Sequence, residues 1–78
     1  MKVQLLGGWP CGQFLIPSDT ILDDADPAWA GVLAANPLPI NAIALDQDAA
    51  DALSRTYPHD LDRLRAGPGV TIRKLVNV

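Results

Sequence analysis

A single cysteine, Cys11, stands in this chain of 78 residues, and it removes the usual ways of stapling a small fold. One thiol closes no intrachain disulfide. With His59 as the only histidine, no four-ligand zinc site of Cys and His can be built either. A core of this size supplies only about 3–5 kcal/mol without such staples. The fold must therefore rest on apolar packing, and small chains of this kind often gain stability by burying a face in an oligomer or larger assembly. The composition permits a packed core, with 49% hydrophobic and 19% charged residues. Aromatic residues are scarce, so Ala, Leu, Ile and Val fill that core around Trp9, Phe14, Trp29 and Tyr57. The length fits one soluble domain spanning residues 1–78.

The net charge of −3 is unevenly spread. No Lys or Arg lies between Val3 and Ser54, a stretch that carries Asp19, Asp23, Asp24, Asp26, Asp46, Asp48 and Asp51. The cations follow it: Arg55, Arg63, Arg65, Arg73 and Lys74. All nine acids are Asp, a residue of turns and helix N-caps rather than helix interiors. Many of them therefore punctuate the chain. The acids read either as a solvated surface with local caps or as an acidic face for a basic partner, for which Asp19, Asp23, Asp24, Asp46, Asp48 and Asp51 are the candidates. The acidic total, with no aromatics interleaved among the cations, argues against direct nucleic-acid binding. Arg63 and Arg65 are two apart and would not share a helix face.

Local signals predict an α+β fold: a small antiparallel sheet, made of an N-terminal hairpin and a C-terminal strand, packed with two or three short helices. Val3–Leu6 reads as a strand, residues 7–12 as a turn-rich connection with three glycines, and Gln13–Ile16 as a second strand. Pro17-Ser18-Asp19 breaks it, and Thr20–Leu22 is extended again. Asp26-Pro27 starts a helix that Asn36-Pro37 ends, with Trp29, Val32 and Leu33 on one face. Residues 36–43 read as an irregular loop pinned to the core by Leu38, Ile40 and Ile43. Asp46 caps a second helix over Gln47–Tyr57, and Pro58 breaks it. His59–Ala66 reads as a third helix, closed by Gly67-Pro68-Gly69, and Val70–Val78 as a final strand.

No pattern carries catalysis. Cys11 has no catalytic signature around it, and a thiol nucleophile would need His59 within reach as its base. Asp23, Asp24 and Asp26 lack the Gly and the distal Glu of a calcium loop, and Asp26 is claimed by the helix cap. Gly7-Gly8 and Gly67-Pro68-Gly69 do not match a phosphate-binding loop. A chain this small has little room for a ligand pocket of about 300 Å³ or more. The reading is thus a protein that is not an enzyme, needs no cofactor and holds no metal. No run approaches the ~18 apolar residues of a membrane span. The poor N-terminal leader and the lone thiol favour the cytoplasm.

Trp9, held between Gly8 and Pro10, either caps the core or anchors an interface. Trp9, Pro10 and Phe14 are one candidate contact region. Val76 and Val78, in a strand able to pair with another chain, are a second. The run Val3–Leu6, a turn, then Gly12-Gln13-Phe14-Leu15-Ile16-Pro17-Ser18-Asp19-Thr20-Ile21-Leu22-Asp23 resembles the opening of many small bacteriophage and prophage proteins. In those, Ala-Gly usually stands where Ser18-Asp19 stands here. The resemblance is confined to the N-terminal third and carries no functional residues with it. It implies a phage-type accessory or structural protein, in the host cytoplasm or the virion. The expected function is a protein-interaction or assembly module, whose partner is another protein or a second copy of the chain, with an acidic inhibitor of a host nucleic-acid-binding complex, a partial DNA mimic, as the alternative.

Overall fold

The strand Lys2–Leu5 (β1) lies between two antiparallel neighbours, Ile21–Asp23 (β4) and Ala42–Ala44 (β5). The computed structural model describes residues 1–75, and in them the main sheet runs β4-β1-β5-β6, where β6 is Arg65–Ala66. The last pair is parallel, Ile43 opposite Arg65 and Ala44 opposite Ala66. A parallel pair needs a long crossover, and the helix Gln47–Thr56 (α2) supplies it. Trp9–Cys11 (β2) and Phe14–Ile16 (β3) form a separate antiparallel ribbon. The mixed α+β content agrees with the sequence.

Period-two alternation gives the main sheet one dry face. Val3, Leu5, Leu22, Ala42 and Ala44 are fully buried, and the register aligns them: Val3 with Leu22 and Ala44, Leu5 with Ala42. The opposite face carries Lys2, Gln4, Ile21, Asp23, Ile43 and Arg65. Helix Pro27–Ala35 (α1) packs on β4 through Leu33, and α2 packs on β5 and β1 through Ala49, Ala50 and Leu53. Alanines on both α2 and β5 let helix and strand approach closely.

Both helix starts follow from their caps. The Asp26 carboxylate accepts from the Ala28 N–H at 2.9 Å, with Pro27 in the first turn, and Asp46 accepts from the Ala49 N–H at 2.8 Å. Asn36 ends α1, but not in the left-handed conformation the sequence allows. Its φ is −130°, and its backbone N–H and Nδ2 both donate to the Val32 carbonyl. The 36–41 segment is pinned as expected, with Leu38 buried and the Tyr57 hydroxyl donating to the Leu38 carbonyl.

Four expectations are corrected. Residues 42 and 43, read as the end of the 36–43 loop, belong to the inner strand β5, whose alanines fill the narrow space under α2. Residues 59–66 are no helix: one 3-10 turn spans Leu61–Arg63, and Leu64 turns extended to begin β6. Residues 70–75 form no strand and add nothing to the sheet. They are tied instead to α2, because Gln47 Oε1 accepts from the Thr71 N–H, Gln47 Nε2 donates to the Thr71 carbonyl, and Arg73 pairs with Asp51. Side-chain partners on the helix take the bonds a sheet edge would have offered. The expected hairpin of Val3–Leu6 with Gln13–Ile16 does not form either: β1 pairs with β4 and β5, while Phe14–Ile16 pairs with Trp9–Cys11, a strand within the segment read as a connection.

Candidate functional site

The β2–β3 ribbon is built by its turn. Gly12-Gln13 joins the strands, with Gly12 at φ +60° and Gln13 at negative φ, the pattern of the tight turn that opens on glycine. Cross-strand pairing sets Trp9 with Ile16 and Cys11 with Phe14 on one face, and Pro10 with Leu15 on the other. Trp9 and Ile16 enter the core, anchoring the ribbon at its base. Beyond them the ribbon runs out of core to cover, so Phe14 is 77% exposed and Leu15 69% exposed.

The outer ribbon and α1 bound an open groove of about 750 Å³, with Phe14, Leu15 and Ile16 on one wall and Trp29 and Val32 on the other. No charged side chain lines it. The only polar side chains are the amides of Gln13 and Asn36 and the thiol of Cys11. Helix α1 sharpens the point. Its sequence, Pro-Ala-Trp-Ala-Gly-Val-Leu-Ala-Ala, has no polar side chain on any face, yet only Leu33 is buried. A helix apolar all round is ordinarily enclosed by protein. The groove also corrects the expectation that so small a chain lacks room for one: the volume lies between two surface elements, not inside the core.

The sequence candidates divide accordingly. Trp9, at 9% exposure, is a core residue and presents no ring to a partner; pairing with Ile16 turns it inward. Pro10 is exposed beside Leu15, and Phe14 is the most exposed large apolar residue. Val76 and Val78 lie outside the described residues. The missed residues are Leu15, Trp29 and Val32 on the groove walls. The Gly-X pair between two apolar triplets was the available signal, since it marks a two-residue hairpin.

The acids do not make one field. Asp24 and Asp46 converge on the Met1 ammonium, at 2.9 and 3.5 Å, and the hydrogen bond to Asp24 raises that group's pKa. Asp51 is buried and paired with Arg73, which corrects its place on an acidic face; the hydrogen bond from Arg73 lowers its pKa. Asp23 accepts from the Ala25 N–H. Asp19 and Asp48 are exposed.

Cys11 lines the groove and His59 lies in the turn after α2, with no hydrogen bond joining them. Among the described residues, no group of three metal-ligating side chains gathers, and no helix is long and apolar enough to cross a membrane. Arg63 and Arg65 do share a second, polar hollow with Asp62, because the expected helix there is a turn and a strand. Arg63 already pairs with Asp60 at 3.8 Å. Comparison with known protein families, curated proteins and solved structures gave no match.

Proposed function

We propose that this chain is a protein-interaction module that acts by holding a partner in the groove between the β2–β3 ribbon and α1. One observation carries the reading: an entirely apolar helix and the exposed ribbon residue Phe14 face a common uncharged groove. Apolar surface gathered in one place, rather than scattered singly, marks an interaction site. The N-terminal resemblance to phage proteins supports an accessory or structural role of that type.

Photo-crosslinking in the cells that make the protein tests it. Phe14→benzoylphenylalanine should give a discrete protein adduct, and the same replacement at exposed Asp48 on α2 should not. Monomer alone from both positions would overturn the reading. An adduct to a second copy, with the matching solution mass by light scattering, identifies self-assembly as the form the interaction takes.

A further inference from the structure

We infer that the strip of α2 bearing Gln47 and Asp51 is a receptor for the extended segment after Gly69, and that at high protein concentration two copies of the chain exchange this segment. The tail is held as a bound peptide is held. Gln47 meets both backbone groups of Thr71, Oε1 accepting from the N–H at 3.2 Å and Nε2 donating to the carbonyl at 2.9 Å, which fixes an extended chain whatever side chain it carries there. Val70 and Ile72 flank that point and pack half-buried against the core, and the Arg73 guanidinium pairs with Asp51. Among the described residues, the segment beyond Val70 makes no backbone-to-backbone hydrogen bond. Its polar hold is therefore on α2, and the chain that leads into it contributes only the turn that folds it back. Gly67 is anchored to β5 by its N–H to the Ala44 carbonyl at 2.8 Å, and the Val70 N–H returns to the Gly67 carbonyl at 3.1 Å. Pro68 and Gly69 take the two central positions, with Gly69 at φ +78°, the pattern of a type II turn. Opening that turn at Gly69 swings the tail away with no loss in the sheet. Asp51 is buried, and without Arg73 it would be an uncompensated charge. The strip is thus filled in either state, by the copy's own tail when dilute and by a second copy's when concentrated, with the same bonds made in both. Exchange in both directions closes a two-fold dimer.

Light scattering across protein concentration reads the exchange. The native chain should pass from monomer mass to twice that mass as concentration rises. Gly69→Val should lower the midpoint concentration about tenfold or more, because a β-branched residue resists the positive φ of the closed turn. A Cβ at position 69 would meet no atom within 4 Å, so this replacement acts through the turn alone. Mixing identifies the interface. Asp51→Arg and Arg73→Asp each set like charges together within one copy, and only exchange between the two variants restores opposite pairs. Their equimolar mixture should dimerise at concentrations where each alone is monomeric. A mixture of folded variants that stays monomeric would overturn the proposal. So would a native chain that stays monomeric to the limit of its solubility, or a Gly69→Val chain that loses stability with no gain in mass. If either charge variant fails to fold, the Gly69→Val dimer decides: Arg73→Ala should abolish it and Phe14→Ser should leave it intact. The opposite response would place the contact at the groove, overturning tail exchange and leaving the groove reading standing.

Discussion

Arg73 closes on Asp51 with two hydrogen bonds, Nε to Oδ1 at 3.0 Å and Nη2 to Oδ2 at 2.6 Å. This side-on pairing is the strong geometry for guanidinium and carboxylate. Together with Gln47, which holds the backbone of Thr71, it fastens the segment after Gly69 along α2.

The pair gives stability a pH dependence at the acid end. Hydrogen bonds from Arg73, and then Gln47, lower the Asp51 pKa below its unfolded value. The contribution is therefore fully present above the unfolded value and lost as pH falls through the lowered folded one. Asp51→Asn should flatten the acid limb of urea midpoint against pH, and lower the midpoint at neutral pH. An unchanged acid limb would assign acid sensitivity to other carboxylates.

An opposite limb belongs to the Met1 ammonium. Asp24, and to a smaller degree Asp46, raise its pKa against the lowering effect of partial burial. That contribution is fully present below the unfolded value and lost as pH rises through the raised folded one. Acetylating the amine, or Asp24→Asn, should remove the loss of stability on the alkaline side. Urea midpoints measured across that range read the effect directly.

Asp19 takes a left-handed backbone conformation, φ 68°, in the turn between β3 and β4. Its N–H donates to the Leu5 carbonyl at 2.8 Å, which fixes the turn against β1. Asp19→Gly should stabilise by about 0.5 kcal/mol, the relief of strain outweighing the added unfolded-state entropy, and Asp19→Ala should destabilise by about 1 kcal/mol. Denaturant midpoints compare the two.

Core and groove should separate cleanly. At Leu53, fully buried on the inward side of α2, Leu53→Ala should cost about 2–5 kcal/mol. Phe14→Ser, at a side chain 77% exposed, should stay within about 0.5 kcal/mol of the parent while weakening partner binding. A large loss on Phe14→Ser would show the ribbon tip to be a structural member.

Legibility in the sequence followed the reach of the forces involved. Caps act within three residues, so Asp26-Pro27 and Asp46 located both helices. β5 escaped because Ala-Ile-Ala lacks the β-branched density of a strand, and only its place under α2 makes alanine the right size. Leu61 and Leu64, spaced for a helix, fit one 3-10 turn equally well. Val70-Thr71-Ile72 has strand composition, but Gln47 and Asp51 compete for that segment from a distant part of the chain. The groove joins residues 11–17 to 29–36, and no local pattern announces that meeting. Phe14 was the one wall residue legible beforehand.

The place of β1 in the sheet has a consequence for synthesis. Translation delivers β1 well before β5, α2 and β6. While the chain grows, Val3 and Leu5 therefore have no helix to cover them, and β5 cannot gain its parallel neighbour until α2 and the turn after it have left the ribosome. The sheet is thus completed through contacts distant in sequence, and its covered core is a late product of folding.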